Sequence, residues 1–146
     1  MIDRACISLG EQCNLKCAYC HFHNEDNGKL SGIPQEFTTD ELIKITKKLN
    51  DYARVNNLTT FKIGIVGSGE PILQYRKIVG LIEYVKNNNL DRLAFYTITN
   101  GTILTEKILD FFLEHKDSIK MCFSLDGYEE LHNLGREKYN VVFSGV

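Results

Sequence analysis

The chain has 146 residues, 43% of them hydrophobic and 25% charged, which is enough apolar material for one domain with a core of its own. A formal net charge of -2 gives no overall cationic field and argues against a nucleic-acid backbone or an anionic membrane as the main partner. No apolar run approaches the roughly 18 residues that span a bilayer, and the start MIDRACISLG lacks the features of an export signal, so the expected compartment is the cytoplasm.

Short runs rich in β-forming residues alternate with amphipathic stretches of helical period, the pattern of repeated βα units with parallel strands. Four such units are expected in a single domain, residues 1–146. The first strand, about Ala5 to Gly10, leads into a long loop that holds Cys13, Cys17 and Cys20 and ends near Phe37. A helix follows, with Thr39 as its cap, Asp40 and Glu41 in the first turn, and Leu42, Ile45, Leu49, Tyr52 and Ala53 at helical spacing. The lysines between Ile43 and Leu49 belong to its exposed face.

The second strand, about Thr60 to Val66, ends at Gly67-Ser68-Gly69-Glu70-Pro71, and its helix runs through Ile78, Leu81, Ile82 and Val85 to Asn87. The third, about Arg92 to Thr99, ends at Asn100-Gly101 before a helix from about Thr105 to His115, where His115 caps the last carbonyls or is solvated. The fourth, about Ser118 to Leu125, ends at Asp126-Gly127, and a shorter helical stretch carries His132 and Arg136. Every polar cluster thus follows the carboxyl end of a strand, the edge of a parallel α/β fold where sites assemble. Four strands are fewer than a closed barrel needs, so the expectation is an open sheet or the first part of a barrel.

Five cysteines, three of them within eight positions, suit a metal better than a disulfide framework. Thiolates are the usual ligands of iron–sulfur clusters, and three on one loop would hold three corners of a cube and leave the fourth iron open. Zinc is an alternative, since His21 and His23 stand beside the cysteines. Haem attachment through Cys17-Ala18-Tyr19-Cys20-His21 is formally possible but normally belongs to exported proteins, and a redox dithiol would leave Cys13 unused. Cys6 and Cys122 fall in strands and are expected to be small buried hydrophobes.

The C-x3-C-x2-C spacing, with Tyr19 before the last cysteine, resembles the signature of the radical SAM superfamily. Ser68-Gly69-Glu70-Pro71 is similar to that family's GGEP element, with serine in place of a glycine, and Thr99-Asn100-Gly101 is similar to its TNG turn. Ser124-Leu125-Asp126-Gly127 with His132 and Arg136 resembles the subgroup that modifies peptides and proteins, including the sulfatase-maturating type.

The resemblance implies a partial (βα) barrel, a 4Fe–4S cluster on Cys13, Cys17 and Cys20, and reductive cleavage of S-adenosylmethionine to a 5′-deoxyadenosyl radical. It implies that Tyr19, Ser68, Gly69, Glu70, Asn100, Ser124, Asp126 and Arg136 line the cofactor site. In that reading Glu70 accepts from the methionine ammonium, Asn100 faces ribose or substrate, Ser124 touches ribose or carboxylate, Asp126 lies near substrate and Arg136 meets a carboxylate. It also implies an electron donor such as flavodoxin or ferredoxin and a peptide or protein substrate. The alternative is a non-catalytic cluster- or zinc-binding module that needs a partner or a further C-terminal region.

Overall fold

A computed structural model describes residues 1–20, 22 and 36–144. Four strands, β1 (Arg4–Ile7), β2 (Phe61–Ile65), β3 (Leu93–Thr99) and β4 (Ile119–Phe123), form one open sheet in the order β1-β2-β3-β4. Every pair is parallel, with Ile7 opposite Ile65, Ile65 opposite Thr97 and Thr97 opposite Met121. Parallel neighbours need crossovers, and these are α1 (Thr39–Val55), α2 (Tyr75–Asn87) and α3 (Glu106–Glu114). Two short helices, α4 (Glu129–Gly135) and α5 (Tyr139–Ser144), follow β4. The fold class is α/β, as expected.

Alternation along the strands divides the sheet into two unlike faces. Ile7, Phe61, Ile63, Ile65, Phe95 and Ile119 face the helices and join Leu42, Ile78, Leu81 and Ile82 in the core. Full burial of each such side chain is worth about 1.5–3 kcal/mol. On the opposite face Lys62, Ile98, Lys120 and Cys122 are exposed. Cys6 and Cys122 therefore correct the expectation of burial, because both lie on the uncovered face.

Boundaries also shift. The cap of α1 is Thr38 rather than Thr39: its hydroxyl accepts from the Glu41 N–H at 3.3 Å and Glu41 Oε2 accepts from the Thr38 N–H at 2.8 Å, a complete capping box. Its fully buried stripe is Leu42, Thr46, Asn50 and Ala53, with Ile45, Leu49 and Tyr52 only partly covered. β1 stops at Ile7, where the chain leaves the sheet for the cysteine loop. A 3-10 turn, Pro71–Gln74, precedes α2. Among the described residues, no helix is long and apolar enough to cross a membrane.

Candidate cofactor site

The described part of the cysteine loop has no helix or strand and is held at three places by the ends of other elements. Its start lies against the turn after β2: the Glu70 N–H donates to the Gln12 carbonyl at 2.8 Å. A Cβ on residue 69 would sit 2.5 Å from the carbonyl oxygens of both Gly10 and Gln12, so only glycine permits this approach. Ser8 and Ser68 bring their hydroxyls within 3.4 Å across the same junction.

The middle is held by the turn after β3. Asn100 Nδ2 donates to Asn14 Oδ1 at 2.9 Å, Asn14 Nδ2 donates to Thr102 Oγ1 at 2.7 Å, and Thr102 Oγ1 donates to Asn100 Oδ1 at 2.7 Å. Leu15, 4% exposed, supplies the loop's apolar anchor. The far end is held by α4. The Ala18 N–H donates to the Gly135 carbonyl at 2.8 Å, and the Tyr19 ring packs where a side chain on residue 135 would stand.

Tyr19 then reaches the turn after β4, its hydroxyl donating to Asp126 Oδ2. Arg136 completes the cluster: its Nε donates to the same oxygen at 3.3 Å, and its guanidinium lies 5.5 Å from the Tyr19 ring centroid. Burial, and then the hydrogen bond to Asp126, push the Tyr19 hydroxyl up to about 12. For Asp126, burial acts upward but is outweighed by Tyr19 and Arg136, so its carboxyl is held below the ordinary range. Burial also raises the Cys17 thiol, with Arg136 opposing the shift.

Glu70 is 4% exposed and already has three donors: the Ile72 N–H at 3.0 Å, the Thr99 hydroxyl at 2.7 Å and the Asn100 N–H at 2.8 Å. It latches the end of β2 to the end of β3. His132 is likewise committed, accepting at Nδ1 from the Asp126 N–H at 3.3 Å and donating from Nε2 to the Glu137 carbonyl at 3.0 Å. His115 is buried, with Nδ1 on the Phe111 carbonyl at 2.9 Å.

These anchors surround a cavity of about 300 Å³ that opens along the uncovered face of the sheet. Cys13, Cys17, Cys20 and Tyr19 form one wall, Ser68, Gly69 and Glu70 the second, and Asn100, Ser124 and Arg136 the third. Val66 and Ile98 give it an apolar floor. Ten of the eleven residues expected from sequence are thus together, while Asp126 stands behind the wall, on Tyr19 and Arg136. A larger groove of about 840 Å³ between α2 and α3 gathers neither cysteine nor histidine, so the chemistry points to the smaller one. Asn14 and Thr102 were not singled out from sequence; the signal available was a polar residue directly after Cys13 and another two positions after Asn100.

None of the three loop cysteines is in a disulfide. Among the described residues, no three His, Cys, Asp or Glu side chains gather closely enough for a single metal ion. His21 and His23, the further donors of the zinc alternative, lie outside the described residues. Three soft donors spaced round a cavity, with room between them and polar groups opposite, fit a multi-atom cluster carrying a polar ligand.

The chain is similar to known proteins over most of its length. The sequence model of the Radical SAM superfamily matches residues 7–143. The cysteine-type anaerobic sulfatase-maturating enzyme of Clostridium perfringens is 32% identical over 131 residues, covering 86% of this chain and 33% of that protein. The serine-type anaerobic sulfatase-maturating enzyme of Bacteroides thetaiotaomicron is 27% identical over 150 residues, covering 94% of this chain and 34% of that protein. A solved structure described as native anSMEcpe with bound AdoMet superposes with a TM-score of 0.74 at 25% identity, over 97% of this chain and 38% of that one. The chain thus spans about a third of the length of these curated relatives.

Proposed function

We propose, from the premise that this chain belongs to the radical SAM superfamily, that Cys13, Cys17 and Cys20 hold a 4Fe–4S cluster whose open iron binds S-adenosylmethionine. The single observation that carries this reading is the convergence of three cysteines with Ser68, Ser124 and Arg136 on one cavity. When bound and reduced, such a cluster supplies an electron that cleaves S-adenosylmethionine to methionine and a 5′-deoxyadenosyl radical, which abstracts hydrogen from a substrate.

The chain's own residues bind and orient. Ser68 and the open backbone at Gly69 would receive the methionine ammonium, and Glu70 holds that backbone in place by its three hydrogen bonds. Arg136 offers a guanidinium to a carboxylate and Ser124 a hydroxyl to carboxylate or ribose. Tyr19 closes the wall beside Cys20, held by Asp126, while Val66 and Ile98 keep water from the floor.

The reading extends to a cytoplasmic protein whose electron donor is a flavodoxin or ferredoxin and whose substrate is a peptide or protein. The names of the sulfatase-maturating relatives support the last point. Residues 1–146 would form the radical SAM core, as its N-terminal part. A second reading is a portion that binds cluster and S-adenosylmethionine without turnover by itself, and the one-third share of the relatives' length favours it.

Anaerobic reconstitution with iron and sulfide tests both. The expected result is about four irons per chain with the charge-transfer absorption of a cluster, abolished in Cys17→Ala, and 5′-deoxyadenosine on adding dithionite and S-adenosylmethionine. A cluster and bound S-adenosylmethionine without 5′-deoxyadenosine would select the second reading. Stoichiometric zinc and no cluster would sink the proposal.

A further inference from the structure

The ring of Asn14, Asn100 and Thr102 does more than tie two loops together, because its hydrogen-bond directions allow only one orientation of the Asn100 amide. Thr102 has one hydroxyl hydrogen, which goes to Asn100 Oδ1 at 2.7 Å, so its oxygen accepts from Asn14 Nδ2. That leaves the Asn14 carbonyl oxygen facing Asn100 Nδ2 at 2.9 Å. The Thr102 N–H, at 3.0 Å from Asn100 Oδ1, fixes the same choice from the backbone. A flipped Asn100 would set oxygen against oxygen at Asn14 and its NH2 against the Thr102 backbone N–H.

Asn100 Nδ2 has two hydrogens, and the second is directed at Cys13 Sγ, 4.0 Å away. Asn100 is 4% exposed and its main chain is bound to Glu70, so neither water nor backbone movement readily replaces this contact. We propose that Asn14 and Thr102 are positioning residues that keep the N–H end of the Asn100 amide on the Cys13 sulfur and thereby make the cluster easier to reduce. An N–H dipole aimed at a ligand sulfur stabilises the extra negative charge of the reduced state, and a flipped amide would oppose it. The inference rests on the cluster reading above.

The full chain, reconstituted anaerobically, is titrated with dithionite while the cluster's electron paramagnetic resonance signal is followed. Thr102→Val and Asn14→Ala each break the ring and, like Asn100→Ala, are expected to lower the midpoint potential. The size expected is up to tenfold in the one-electron equilibrium, about 59 mV. Thr102→Ser keeps the hydroxyl and should retain the wild-type potential. Unchanged potentials in Thr102→Val and Asn14→Ala beside a shifted Asn100→Ala would overturn the positioning role, as would a Thr102→Ser shift equal to that of Thr102→Val. The ring is also read in the cluster-free chain, by hydrogen exchange of the Asn100 side-chain amide. Slow exchange in wild type and Thr102→Ser with fast exchange in Thr102→Val supports it; equal rates in all three would overturn it. A wild-type chain that takes up no cluster would defeat the functional reading, while the exchange rates still judge the ring.

Discussion

Glu70 shows how a residue with a recognisable place in a motif can do its work indirectly. Sequence places an acidic group after a strand end and suggests a ligand for an ammonium group, but three protein donors already converge on its carboxylate. Replacing it with glutamine keeps shape and puts an NH2 where an oxygen accepted, leaving at least one buried donor without a partner at a cost of about 1–3 kcal/mol. Glu70→Gln is therefore expected to lower the midpoint of thermal unfolding of the cluster-free chain, measured by circular dichroism. A loss confined to S-adenosylmethionine affinity, with unfolding unchanged, would restore Glu70 to the role of direct ligand. Asn100 teaches the same lesson, since its side-chain amide is committed to Asn14, Cys13 and Thr102. The cysteine spacing was legible because ligands must recur at fixed intervals on one loop; partners such as Asn14 and Thr102, 88 residues apart, have no interval to read.

At the scale of elements, periodicity located all four strands and the first three crossover helices, and the misses have physical causes. Two threonines stand at the start of α1, and Thr38 wins the cap because Glu41 falls three residues after it, whereas Leu42 holds that place relative to Thr39. Thr38→Ala should cost about 1 kcal/mol in urea unfolding, and Thr38→Ser should recover most of it. An unchanged midpoint in Thr38→Ala would mean that packing of Leu42 and Ala53 alone sets the helix start. Alternation says which residues share a face and not which face is covered. Parallel sheets are usually covered on both sides, which makes burial the natural expectation for Cys6 and Cys122. Here helices cover one face among the described residues, and the other carries the floor of the site.

For the molecule as a whole, the site exists because a loop that leaves the sheet at one edge is fastened at the other. β1 and β4 are the outer strands, and the cysteine loop begins at the first and, at Ala18 and Tyr19, reaches the helix and turn that follow the second. Asp126 closes that span, since it holds both Tyr19 of the loop and Arg136 beyond α4. Its folded-state acidity lies below the ordinary 3.8, so its contribution to stability is fully present above that value and is lost as pH falls through the lower folded one. With the Asp126 side chain 35% exposed, the effect stays within about 1 kcal/mol. Urea unfolding of the cluster-free chain between about pH 6 and about pH 3 should therefore show a smaller acid-driven loss in Asp126→Asn than in wild type. The two should draw together toward the acid end, as the wild-type carboxyl takes up its proton and comes to resemble the amide. Parallel curves across the whole range would mean that the loop is fastened by the Ala18–Gly135 backbone bond and the packing of the Tyr19 ring, with the charge of Asp126 adding nothing.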